Sequence, residues 1–253
     1  GDPHLQAAEE GLTQAYVSQA RDQLFDWANR QAAASKDRTV GIYSGALGYG
    51  YNEELLKKQG LSAPGCWKDL IKPEFKGKVQ VANPNSSGTS YTMLATLVQM
   101  MGEKEAFDYL RALHKNINQY TKSGSAPIKA AGAGETVIGI VFVHDAVAVA
   151  EAGFPIKSVV PCEGTGYEIG SMSIVKGARN LDNARKFYEF ALSADFQSKA
   201  KDVKSFQVPS NKASSVSAKA PDLAKIKLID YDFVKYGSSA ERTRLLTKWD
   251  KEV

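Results

Sequence analysis

The stretch "ETVIGIVFV", residues 135–143, runs apolar at every position after Thr136. A strand with one face in water alternates apolar and polar residues, so an unbroken run of this kind belongs to a strand covered on both faces. Helices must supply the covers, and the neighbouring sequence offers them. "HDAVAVAEAG" follows directly and reads as a helix ending at Gly153. Pro127–Ala133 reads as a small helix before it. "KVQVA", "NINQYT", "PIKSVVP" and "YEIGSMSIVKG" read as further strands separated by helical stretches. Strand–helix alternation of this kind predicts an α/β fold with a mostly parallel sheet.

The rest of the chain is consistent with more than one such layer. Residues 5–35 have helical spacing and predict one or two helices. "RTVGIYSGALGYGYN" (38–52) is a β-type run long enough to pass between two sub-domains. A strand is expected at Lys78–Ala82, and helices at Tyr91–Met101 and Lys104–Lys115. Leu181–Lys201 and Lys225–Lys251 are expected to be mainly helical, with the polar stretch 208–222 irregular between them. At 253 residues the chain is long enough for one large or two modest domains.

Composition narrows the function. With 43% hydrophobic and 24% charged residues this is an ordinary globular composition, and no apolar stretch has the length of a membrane span. The net charge of +4 comes from lysines spread along the chain rather than from a basic stripe. Nucleic acid is therefore not an expected partner, whereas a mildly basic surface suits the collection of small anions. Cys66 and Cys162 have no metal-type spacing. They are either one disulfide bridge or two unrelated small residues. No zinc, P-loop or nucleophile-elbow motif is present, so neither cofactor nor metal is expected.

Ligands of α/β sheets bind beyond the carboxyl ends of the strands, where loops enter helix N-termini. Three loops have this placement. "ANPNSSGTSYT" (82–92) crowds Asn85, Ser86, Ser87, Thr89 and Ser90 around Gly88. A helix cap needs one such residue; a cluster of hydroxyls beside free N–H groups and the positive end of a helix dipole suits a bound anion. "KSGSAP" (122–127) repeats the arrangement, with Ser123, Gly124 and Ser125 ahead of Pro127, a favoured early helix residue. In "VHDAV", His144 and Asp145 stand where the buried strand meets its helix, as a plain cap or as polar contacts to a ligand. A serine hydrolase built from Ser87 or Ser125 with His144 and Asp145 is a remote alternative. A triad needs its acid behind its base, which residues adjacent at a helix start do not provide. "CEGTGYEIG" (162–170) opens no helix and so fails as a dinucleotide fingerprint; it reads as an extended crossing with Glu168 facing inward.

Together, "QVANPNSSGTSYT", "KSGSAP", "FVHDAV" and "CEGTGYEIGSMSIVKGARN" resemble the periplasmic solute-binding proteins of bacterial ABC importers. The resemblance covers essentially the whole chain. It is nearest to the branch known for ferric-iron binding and, within it, to hexose-phosphate-binding members. It implies two α/β lobes joined by hinge crossing strands, closing on ligand, and it implies no catalysis. The implied division is residues 1–78 as part of lobe 1 with a crossing, 79–160 as lobe 2 with the anion-binding loops, and 161–253 as the return crossing and C-terminal helices. The expected partners are a phosphorylated small molecule and an inner-membrane ABC permease, with the protein itself a monomer.

Two departures from the branch carry information. Iron-binding relatives place two adjacent tyrosines where this chain has "FVHDAV". Hard Fe(III) favours phenolate oxygen, so the ferric site is not expected here. The resemblance assigns Ser86, Ser87, Gly88, Thr89, Ser123, Gly124 and Ser125 to the anion, and His144, Asp145 and Glu168 to the remainder of a hexose phosphate. A phosphonate or another organophosphate is the alternative ligand, since the serine loops read only the anion. The second departure lies before "GDPH". Relatives carry a further β-α-β segment there, so the first lobe is expected to be truncated.

Overall fold

The computed structural model describes residues 2–253. In chain order the chain forms α1 (Asp2–Glu9), β1 (Thr13–Gln14), α2 (Asp26–Ala34), β2 (Val40–Asn52), α3 (Glu53–Lys58) and β3 (Val79–Ala82). Next come α4 (Gly88–Met101), α5 (Glu103–His114), β4 (Ile117–Thr121), α6 (Ala126–Ala133), β5 (Ile138–Phe142), α7 (Val143–Glu151) and β6 (Ile156–Val159). The chain finishes with β7 (Tyr167–Met172), β8 (Ile174–Val175), α8 (Leu181–Leu192), α9 (Ala194–Ser198), β9 (Val208–Pro209), α10 (Phe233–Tyr236) and α11 (Ser239–Glu252).

These elements divide into two compact units. One comprises Gly1–Gly45, Glu168–Ala220 and Asp232–Arg242; the other comprises Ala46–Tyr167, Pro221–Tyr231 and Thr243–Val253. The first unit packs Leu24, Ala28 and Ala32 of the α2 region against Val40, Ile174, Tyr188 and Leu192. Its start is tied down by Glu189, whose carboxylate accepts from Tyr16 Oη at 2.7 Å, Ser18 Oγ at 2.8 Å and the Gln19 N–H at 3.1 Å. The first half of β2 pairs there with β7 and β9.

The second unit holds the strand order β4-β3-β5-β2-β6. β3 runs parallel to both β4 and β5, with Ala82 opposite Thr121 and Gln80 opposite Gly139. β5 is buried at every residue from Ile138 to Phe142, as its unbroken apolar run requires. Partnered residues share a face of the sheet, so Gln119, Gln80, Gly139, Gly50 and Ser158 form one row across it. The two glycines in that row let α6 settle onto the strands. A Cβ on Gly139 would lie 2.6 Å from the Pro127 carbonyl carbon, and one on Gly50 2.4 Å from Ile128 Cδ1. Ile128 and Ala131 of α6 then bury against Val141, Ala146 and Ile156.

Three expectations are corrected. The sheet is mixed, because β2 lies antiparallel to β5, β6 and β9. A strand of 13 residues that runs from one unit into the other arrives with a direction set by its origin, and local strand–helix alternation does not encode it. The stretch 5–35 forms α1 and α2 but is extended at β1 between them. Lys225–Lys251 is helical only from Phe233, since residues 226–232 run irregularly, with Leu228 bridging to Thr165.

Candidate ligand-binding site

β4, β3 and β5 are adjacent and parallel, so Thr121, Ala82 and Phe142 end at one edge of the sheet. The two serine loops and the His144–Asp145 junction leave from that edge side by side. Topology thus brings together three segments that are far apart in sequence, since β3 and β5 pair through Gln80 and Gly139.

The first two loops are bonded to each other. Asn83 N–H donates to the Thr121 carbonyl at 2.7 Å, and Ser86 Oγ donates to the Lys122 carbonyl at 3.0 Å. The closest approach is made by Gly124. A Cβ there would stand 2.2 Å from Thr89 Oγ1 and 2.9 Å from Ser87 Oγ, so only glycine lets the second loop lie on the first. The turn before α4 orders itself: Asn83 accepts the Ser86 and Ser87 N–H groups on its carbonyl and the Asn85 N–H on Oδ1 at 2.9 Å.

Ser87 occupies the cap position of α4 but makes no side-chain cap bond, and the first turn holds no acidic residue. Its hydroxyl is buried and has no hydrogen-bond partner among the described residues. Leaving a buried hydroxyl unmatched is unfavourable by about 1–3 kcal/mol. The first N–H groups of a helix likewise have no intrahelical acceptor. α6 starts the same way, with Ser125 at the cap position making no side-chain cap bond and Pro127 in the first turn. The first three residues of each helix, Gly88–Ser90 and Ala126–Ile128, include no lysine or arginine. The site therefore offers neutral donors and two dipole ends to an anion.

At the third loop, His144 is 7% exposed and its ring stacks on Phe142, with centroids 5.6 Å apart and planes at 10°. Burial pushes its pKa down to about 4, so the imidazole is neutral at neutral pH. Its Nε2 lies 3.8 Å from Asp145 Oδ1, beyond hydrogen-bond reach, and a neutral ring forms no ion pair with it. Asp145 is half-buried. Burial raises its pKa, and the charge of Lys129 on α6 works against that rise.

Of the expected residues, Ser87 is buried, Thr89, Gly124 and Ser125 are half-buried, and Ser86, Gly88 and Ser123 are exposed. Glu168 belongs to the other compact unit, half-buried in β7, where its carbonyl accepts from Ser44 Oγ at 2.8 Å. Ser90 was not among the expected contacts, yet its hydroxyl, in the first turn of α4, is also buried without a partner among the described residues. Its signal was its place in the hydroxyl cluster; which side of the helix it takes is set by packing. Cys66 and Cys162 are bridged, and Cys66 leads into a short 3-10 turn at Trp67–Ile71.

A profile described as bacterial extracellular solute-binding protein matches residues 3–236. The chain belongs to that family. Its members are the substrate-binding components of ABC importers, which bind small molecules and deliver them to a permease without catalysis. A solved structure of the periplasmic binding protein AfuA from Actinobacillus pleuropneumoniae, with exogenous fructose-6-phosphate bound, is 50% identical at a TM-score of 0.96 and covers all of this chain and 80% of its own. The periplasmic binding protein P5PA is 40% identical at a TM-score of 0.94, with the same coverage. A Haemophilus influenzae relative of uncharacterized function is 48% identical over all of this chain and 73% of its own length. Among the described residues, no helix is long and apolar enough to cross a membrane.

Proposed function

We propose that this protein is a periplasmic receptor for a hexose phosphate, which it hands to an inner-membrane ABC permease. The observation that carries the reading is the junction at Gly124. It joins two hydroxyl-rich helix starts around the unmatched Ser87 hydroxyl. Identity of 50% across the whole chain to a protein solved with fructose-6-phosphate bound supports the same ligand class. In this reading the phosphate lies on the N-termini of α4 and α6, taking hydrogen bonds from Ser87, Thr89, Ser123 and Ser125, while Ser86 joins them by releasing the Lys122 carbonyl. Gly88 and Gly124 admit it closely.

The carboxylates of Asp145 and Glu168 would repel a phosphate, so they take the ligand's hydroxyl end, where ring hydroxyls donate to them. His144, neutral by burial, serves as a hydrogen-bonding group for either end. A site that matches hydroxyls with buried acceptors discriminates strongly, because a missing hydroxyl strands the acceptor.

Calorimetry with glucose 6-phosphate, fructose 6-phosphate and inorganic phosphate tests the assignment. Asp145→Ala and Glu168→Ala should damage hexose-phosphate binding and spare inorganic phosphate. If both variants bind hexose phosphate like the parent, the ligand is a small phosphonate or phosphate and the sugar assignment is wrong. Mass spectrometry of ligand released from the purified protein gives an independent check.

A further inference from the structure

The end of α11 reaches both serine loops. Two of its residues fix it on α5: Lys248 Nζ stands 4.9 Å from the centre of the Phe107 ring, and Glu252 accepts from Arg111 Nη1 at 3.0 Å. Between them, Trp249 is buried and meets the Tyr120 ring edge-on at 5.4 Å. Tyr120 is the next-to-last residue of β4, at the foot of the second loop. Asp250 Oδ1 accepts from Asn85 Nδ2 at 2.7 Å, two residues before Ser87.

Asp250 has the wrong sign for this place. A carboxylate beside an anion site repels the ligand, so as a plain surface charge it would only weaken binding. Its bond to Asn85 gives it another use. The Asn85 N–H already donates to Asn83 Oδ1 at 2.9 Å, so with its side chain held as well the residue is fixed at backbone and side chain together. Asn83 also accepts the Ser86 and Ser87 N–H groups on its carbonyl, which makes Asn85 part of one bonded turn leading into α4.

We infer that Asp250 is a positioning residue of the anion site. It fixes Asn85, and through it the turn that aims the Ser87 hydroxyl and the first N–H groups of α4. The inference rests on the anion reading of these loops. It is not a contact role, because Asn85 is not among the donors assigned to the ligand.

The test combines calorimetry, with glucose 6-phosphate and inorganic phosphate, and backbone amide relaxation of the ligand-free, full chain. Asp250→Ala and Asn85→Ala should each weaken both ligands about threefold, the scale of an exposed charged pair. The double variant should be no weaker than either single one, because both remove the same bond. Asp250→Asn keeps an acceptor for Asn85 and drops the charge, so it should bind at least as tightly as the parent. Without ligand, the order parameters of Asn85, Ser86 and Ser87 should fall below the rigid range of about 0.85 in both alanine variants and stay within it in Asp250→Asn. Tighter binding by Asp250→Ala would overturn the inference, since Asp250 would then be a plain repulsive charge. Losses that multiply in the double variant would overturn it too, as would order parameters unmoved by either alanine. A parent that binds neither ligand would sink the anion reading itself, and the order parameters would then decide the hold on the turn alone.

Discussion

Within one compact unit, the turn at Trp67 and the start of α4 solve the same problem in opposite ways. At Trp67 the chain supplies its own anion. Glu163 accepts the Trp67 N–H at 2.8 Å and the Lys68 N–H at 3.0 Å, while Asp69 Oδ2 accepts the Gly65 and Cys66 N–H groups at 2.9 Å. The Trp67 indole donates to the Gly164 carbonyl at 3.1 Å, and Cys66 is bridged to Cys162. The first turn of α4 holds no acidic residue, the nearby Asp250 carboxylate accepts from Asn85 Nδ2 at 2.7 Å instead, and the cap-position hydroxyl of Ser87 is unmatched among the described residues. On the proposed reading, the difference separates a helix start used for stability from one kept for a ligand.

The largest effect is expected at the first of the two. Cys66 and Cys162 are 96 residues apart, a loop length for which cross-linking stabilises by about 4–5 kcal/mol in the chain-entropy view. Replacing both by serine should lower the unfolding free energy by that order in a denaturant titration. Affinity for hexose phosphate should stay close to the parent's, because Glu163 still holds the turn. A variant equally stable but unable to bind ligand would reverse the roles given to the two regions.

The α7 start sharpens the comparison through pH. His144 has a folded pKa of about 4 against an ordinary 6.5. Between those values the unfolded chain binds more protons, so stability is full above 6.5 and declines as pH falls toward 4. The loss is on the order of 2–3 kcal/mol. Asp145, raised by burial, acts in the opposite sense, since its folded form holds its proton to higher pH. Thermal unfolding of His144→Gln should lose most of this acid dependence. An unchanged profile would mean that the ring is not desolvated as described.

Much of this arrangement was legible in the sequence, and what was not has physical reasons. The apolar run at 136–143 required a doubly covered strand, and β5 is one. The hydroxyl clusters marked two helix starts, which are α4 at Gly88 and α6 at Ala126. The antiparallel entry of β2 was not legible, since strand direction depends on which unit the chain comes from. Nor was the contact of Gly124 with Thr89, because residues 35 apart meet only through the pairing of β3 with β4. The bridge between Cys66 and Cys162 stayed open for the same reason: two cysteines without a motif carry no pairing information.

Gly124→Ala should come next in size. A methyl group would have to push Thr89 and Ser87 aside, and overpacking of this kind is unfavourable by about 1–3 kcal/mol. Here the displaced groups are the proposed ligand donors, so the loss should appear in hexose-phosphate affinity more than in melting temperature. Calorimetry and thermal unfolding on the same sample separate the two. Affinity equal to the parent's would place the anion away from this junction.

The smallest effects give the sharpest contrast, because paired variants should exchange roles. Ser87→Ala removes a hydroxyl that has no partner among the described residues, so folding loses nothing and gains slightly. Binding should weaken by about 1–2 kcal/mol, the scale of a hydrogen bond to a charged group. Glu163→Ala removes the acceptor of two N–H groups at the Trp67 turn and should lower stability by about 1–2 kcal/mol, as the loss of a cap does. It touches none of the proposed ligand donors, so affinity should hold. If Ser87→Ala instead lowers stability and leaves phosphate binding intact, the α4 start is a structural cap like the Trp67 turn, and the contrast between the two regions fails.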